Sequence, residues 1–154
     1  MLAKISLAFL AFSFFSVGES SVITQTLNWD LIAANPAAYV NLVSGNNNNL
    51  QGVQNVLEGN NNNLLGNNNA LLGNYNNLIG VSNGIVGSAN GVIGNYNGVV
   101  GDVNLVVGSS NGVFGSSNTV QGNANGISGS QNFVYGNGNT VRTWRQKHFN
   151  TNLN

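Results

Sequence analysis

The groups that could carry covalent or acid–base chemistry are few and scattered. The chain of 154 residues has no Cys, one His (His148), four acidic and four basic side chains. Without thiols there is no disulfide, thiolate nucleophile or Cys-ligated metal. Serine is plentiful, but its hydroxyl needs a neighbouring base to act as a nucleophile. Calcium calls for several oxygen ligands with carboxylates among them, and the central region offers only the isolated Glu58 and Asp102. No catalytic residue, cofactor or metal site is therefore expected. What the chain holds in quantity is carboxamide, with 33 Asn beside 21 Gly. An Asn side chain brings two donor hydrogens and an acceptor oxygen with two lone pairs, so its chemistry here is hydrogen bonding, and the spacing decides whether these groups fall in line.

The spacing is regular. Glycine recurs every seven residues at Gly45, Gly52, Gly59, Gly66, Gly73, Gly80, Gly87, Gly94, Gly101, Gly108, Gly115, Gly122, Gly129 and Gly136. Three residues after each comes Asn: Asn48, Asn55, Asn62, Asn69, Asn76, Asn83, Asn90, Asn97, Asn104, Asn111, Asn118, Asn125, Asn132 and Asn139. Two further on stands an aliphatic residue, from Leu50 and Leu57 through Ile85 and Val99 to Val141. An earlier unit has Ala38 in the glycine place, with Asn41 and Val43 following. The unit G-x-x-N-x-[VIL]-x thus covers residues 38–142, a pattern specific for repeat architecture.

A period of seven also suits a coiled coil, but that fold needs two apolar seam positions in a helix-forming background. A Gly in every unit costs about 1 kcal/mol each in a helix. Stacked hairpins are suggested by the Asn-Gly pairs at 83–84, 90–91, 97–98, 111–112 and 125–126, yet they leave only about three residues per strand. A disordered Asn-rich tract places no demand on the register of its aliphatic residues. A parallel β-solenoid satisfies all three observations. Gly forms the corner at positive φ, Asn tolerates left-handed φ and bonds locally to backbone, and the x-[VIL]-x segment is a short strand with its middle side chain inward.

The residue after Asn distinguishes two units per coil from three. Alternate units read Val56, Ala70, Gly84, Gly98, Gly112, Gly126 and Thr140, against Asn49, Asn63, Asn77, Gly91, Leu105, Thr119 and Phe133. One row is mostly small and the other mixed, a difference of period fourteen. Two units per coil, about seven coils and a rod of roughly 35 Å follow. The pattern resembles the head repeats of trimeric autotransporter adhesins, with Asn where that family has Ser or another small residue. The resemblance implies a left-handed parallel β-roll with fourteen-residue coils, and an adhesive role.

In a strand, the position after the inward aliphatic faces out. Leu65, Leu72, Ile79, Val86, Ile93, Val100, Val107 and Phe114 then lie outside a thin solenoid in two rows, and contiguous exposed apolar patches mark interaction sites. Leu72, Val86, Val100 and Phe114, flanked by Ala70, Gly84, Gly98 and Gly112, form the expected self-association face. The fourteen Asn form a structural ladder.

The flanks complete the plan. Residues 1–18 read as a signal peptide, with a short basic start and the apolar run Ile5 to Val17, and no transmembrane segment is expected once it is cleaved. Residues 19–37 form an N-terminal cap with a short helix from Asn28 to Pro36. Residues 143–154 form a C-terminal cap or tail containing Trp144, Arg145, Lys147, His148 and Phe149. At 5% charged residues, long-range steering and nucleic-acid partners are excluded.

The reading that leads is a secreted, non-enzymatic structural or adhesive protein that self-associates as a homo-oligomer or fibre, with a cell-wall or matrix polymer as another partner. Ice binding is an alternative, using a regular face of small and polar residues such as Asn95, Ser109 and Asn123, or Ser88, Ser116 and Ser130. A secreted effector or polysaccharide binder is a third.

Overall fold

In the computed structural model, residues 41–143 are described continuously, together with the backbone of three outlying strands at Ser16–Val17, Val22–Thr24 and Phe149–Asn152. The expected helix at 28–36, Ala38 and the caps around Trp144 and His148 lie outside the described residues, while Asn41 and Val43 of the Ala38 unit are buried in the ladder and core positions expected of them. Strand Ser16–Val17 falls inside the segment read as a leader.

Among the described residues the chain is a parallel β-solenoid of two nine-stranded sheets. The first holds β1 (Ser16–Val17), β3 (Leu42–Ser44), β5 (Val56–Glu58), β7 (Ala70–Leu72), β9 (Gly84–Val86), β11 (Gly98–Val100), β13 (Gly112–Phe114), β15 (Gly126–Gly129) and β17 (Thr140–Thr143). The second holds β2 (Val22–Thr24), β4 (Asn49–Gln51), β6 (Asn63–Asn67), β8 (Asn77–Val81), β10 (Gly91–Ile93), β12 (Leu105–Val107), β14 (Thr119–Gln121), β16 (Phe133–Gly136) and β18 (Phe149–Asn152). They are called the odd and even sheets below. Successive strands alternate between sheets, so each coil uses two seven-residue units and like residues stack fourteen apart, as Val99 does on Ile85 and Val113. Both the solenoid and the fourteen-residue coil expected from sequence are present.

From β3 to β17 the core is one aliphatic side chain per strand. Leu50, Leu57, Leu64, Leu71, Leu78, Ile85, Val92, Val99 and Val106 are fully or almost fully buried, and the whole set from Val43 to Val141 forms a single cluster between the sheets. Three-residue strands with an exposed–buried–exposed pattern explain why one apolar position per unit suffices.

A core this narrow leaves the corners to hold the coils together, and their carboxamides do so. Asn97 shows the arrangement. Its backbone N–H and its Nδ2 both donate to Asn83 Oδ1 in the coil before, at 2.9 and 3.1 Å. Its Nδ2 also donates forward to the Gly108 carbonyl at 2.8 Å. Its own Oδ1 accepts the N–H and Nδ2 of Asn111, each at 3.0 Å. Both donor hydrogens and both lone pairs are used, which is what a carboxamide exposed by only 2% requires. No buried side-chain nitrogen or oxygen among the described residues lacks a partner.

The corner geometry corrects one expectation. The ladder Asn does not occupy the left-handed position, and its side-chain bonds run to neighbouring coils rather than locally. The left-handed residue is the one just before it, from Asn47 to Gln131 at φ of 55 to 60°. Tyr75, Tyr96 and Val103 are among these, and a β-branched residue there is unusual. The corner glycine is required by close approach as well as by φ. On Gly94 (φ 134°) a Cβ would stand 1.8 Å from the Gly108 carbonyl oxygen, the same oxygen that receives Asn97 Nδ2.

Candidate functional site

With the inward position filled by the aliphatic core, the solenoid presents the other two strand positions on each sheet. The odd sheet carries Ala70, Gly84, Gly98, Gly112 and Gly126 in one row, stacked in register. Beside them runs a second row of Leu72, Val86, Val100 and Phe114, all exposed, with Phe114 the most so at 64%. Gly84, Gly98, Gly112 and Gly126 have open space where a Cβ would point, and none of them has positive φ. They are therefore glycines for surface relief and not for backbone conformation. The result is a trough with an apolar ridge along one side. Toward β17 it becomes an open groove of about 450 Å³ running from Gly98 past Phe114 to Thr140 and Arg142.

The even sheet is rougher. Asn49, Asn63 and Asn77 form an exposed carboxamide ladder, Nδ2 to Oδ1 at 3.2 Å on each step. The row then passes through Gly91, Leu105, Thr119 and Phe133. A Cβ on Gly91 would touch Leu105 Cδ1 at 3.3 Å, so this glycine lies under a neighbouring side chain. The apolar row of this sheet, Leu65, Ile79, Ile93 and Val107, is exposed except at Val107, which is half-buried. Both apolar rows anticipated from the strand period face outward.

The polar rows named from sequence are placed elsewhere. Asn95, Ser109, Asn123, Ser88, Ser116 and Ser130 follow the corner glycines and lie at the two edges of the rod, not on a sheet face. Five of the six accept backbone N–H groups of the preceding coil through their side-chain oxygens, among them Asn95 from Val81 at 2.9 Å, Asn123 from Ser109 at 2.8 Å and Ser130 from Ser116 at 3.1 Å. Asp102 does the same for Ser88 at 2.7 Å. The sequence signal for this second ladder was the run of short oxygen-bearing side chains just after glycine, and its cross-coil role emerges only from the stacking.

Among the described residues no cluster of His, Cys, Asp or Glu could hold a metal ion. Charge is nearly absent: residues 41–143 contain only Glu58, Asp102 and Arg142.

A family model described as grass antifreeze beta roll matches residues 42–143, the segment that forms the continuous solenoid. No curated protein matches the chain.

Proposed function

The chain belongs to the grass antifreeze beta-roll family, and on that premise we propose that it is a non-enzymatic, secreted ice-binding protein that meets ice with its odd sheet. The observation that carries the reading is the stacked row Gly84, Gly98, Gly112 and Gly126 beside Val86, Val100 and Phe114. Water next to small apolar groups keeps its own hydrogen-bond network, whereas ionised groups bind water tightly in geometries of their own. Between Glu58 and Arg142, which stand at either end of its outer row, this face carries no charge over the four coils from Leu72 to Phe114, and that stretch, repeating at strand spacing, about 4.8 Å, supports an ordered water layer. Secretion rests on the signal-peptide character of residues 1–18.

The test is thermal hysteresis and inhibition of ice recrystallisation with the purified chain. Replacing Gly98 and Gly112 with Lys puts two long cations on the flat face at positions with ordinary φ and free space. The expected outcome is loss of ice activity with an unchanged circular dichroism spectrum. Thr119→Lys, on the even sheet, should keep activity. Equal activity in all variants assigns ice binding to another surface; no activity in the unmodified chain removes the reading.

Self-association or adhesion through the same face is favoured by the exposed ridge Leu72, Val86, Val100 and Phe114. The area argues against a stable closed dimer. Four strand spacings by three residues measure about 19 by 10 Å, or roughly 200 Å², against about 800 Å² per partner in stable interfaces. Light scattering on the eluted protein should therefore give a monomer, and an oligomer lost in Val86→Lys would favour self-association instead.

A further inference from the structure

Six Asn-Gly pairs occur in the chain, at 83–84, 90–91, 97–98, 111–112, 125–126 and 137–138. This dipeptide is chemically fragile because glycine puts no side chain between its own amide nitrogen and the preceding carboxamide. The deprotonated nitrogen attacks the Asn Cγ and forms a five-membered succinimide. The Cγ–Nδ2 bond breaks and the nitrogen leaves as ammonia. Water then opens the ring at either carbonyl, giving Asp or isoaspartate. One water is consumed and one ammonia released, with no enzyme or oxidant involved.

Five of the six pairs are locked by the fold. Asn83, Asn90, Asn97, Asn111 and Asn125 are ladder residues, each only 2% exposed. Their carboxamides are held on both sides by neighbouring coils, as in Asn83 Nδ2 to Asn69 Oδ1 at 3.1 Å and to the Gly94 carbonyl at 2.8 Å. To react, such a side chain must first break its ladder bonds and admit water. The sixth pair is different. Asn137 follows the corner glycine Gly136, it and Gly138 are exposed, and Gly138 has φ of 68° with open space around it. The Asn137 Oδ1 accepts one bond, from the Asn123 N–H at 2.7 Å, while the Gly138 N–H donates to the Asn123 carbonyl at 3.0 Å.

We propose that Asn137–Gly138 is a site of spontaneous deamidation, and that the buried ladder confines to this one pair a reaction the sequence offers six times. The two products differ in consequence. Aspartate fits, because Asp102 already holds the matching position at the other edge and its Oδ1 accepts the Ser88 N–H at 2.7 Å. Isoaspartate inserts a backbone methylene between Gly136 and Asn139. It displaces the rung at which the Asn139 N–H and Nδ2 donate to Asn125 Oδ1, at 2.9 and 3.0 Å.

The experiment is incubation of the folded full chain in warm, mildly alkaline buffer, followed by peptide mapping with fragmentation that separates Asp from isoaspartate. Conversion at Asn137 should run at least about tenfold faster than at any ladder Asn, since the latter react only through local opening. In the urea-unfolded chain all six pairs should convert at similar rates. Asn137→Gln should remove the fast site and leave the folded spectrum unchanged. The proposal is overturned if ladder residues convert as fast as Asn137 in the folded chain. It is equally overturned if Asn137 stays intact there while converting in the unfolded one.

Discussion

At the scale of single residues, one carboxamide does the work that a charged pair or an extra core residue does elsewhere. Asn97 joins three coils through Asn83, Gly108 and Asn111. Asn97→Ala removes the acceptor for the buried Asn111 N–H and the donor for the part-buried Gly108 carbonyl, leaving both without their ladder partner. Each such group costs about 1–3 kcal/mol, so the variant should lose about 2–6 kcal/mol of stability, read as a lowered denaturation midpoint with faster hydrogen exchange at the Asn111 amide. Asn97→Asp keeps the acceptor but buries a carboxylate facing a carbonyl, and should fare no better. The two classes of glycine also separate at this scale. Gly101 sits at φ of 132° with the Gly115 carbonyl oxygen 2.0 Å from any Cβ, whereas Gly98 meets nothing. Both read simply as Gly in the sequence, and only the first is demanded by the backbone.

At the scale of elements, the seven-residue unit keeps the ladders and core in register, while the fourteen-residue coil keeps the faces apart. These can be tested independently. Deleting Gly87–Val100 removes one whole coil, joins β9 to the corner before β12 and preserves the assignment of every later strand to its sheet. It should fold and retain a shortened glycine row. Deleting Gly94–Val100 removes a half-coil. Every ladder Asn still meets an Asn and every core aliphatic an aliphatic, but the later strands exchange sheets, so Gly84 is followed on its face by Leu105. The expected result is a β-rich spectrum close to that of the parent, with ice activity lost. If the half-coil deletion stays fully active, the odd-sheet assignment fails while the solenoid stands.

At the scale of the whole molecule, parallel stacking places identical side chains at strand spacing, and identical charges so close would repel. The described solenoid accordingly has three charged residues in residues 41–143, and carboxamides and carbonyls supply its polar cohesion. Screening by salt has little to act on. Between low salt and about 1 M NaCl the Debye length falls from tens of Å to about 3 Å, yet the denaturation midpoint should move by less than about 0.5 kcal/mol equivalent. A larger loss of stability would mean that charges outside the described solenoid hold it together.

Much was legible in the sequence because the repeat is short and obeys physical rules local to one strand. A strand alternates sides, so the single aliphatic of each unit, from Val43 to Val141, had to be core, and the residue after it, such as Val86 or Val100, had to face outward. The period-fourteen contrast between Gly84, Gly98 and Gly112 on one side and Asn77, Gly91 and Leu105 on the other gave two units per coil. What the sequence could not decide were contacts between residues fourteen or eleven apart. Asn97 reaching Gly108, Asn95 spending its oxygen on the Val81 N–H, and the left-handed φ falling on Tyr75 or Val103 rather than on the ladder Asn are set by how one coil sits on the next. A linear pattern shows which residues stack; the direction in which a stacked side chain finds its hydrogen-bond partner depends on the backbone path around the corner, and that exists only in three dimensions.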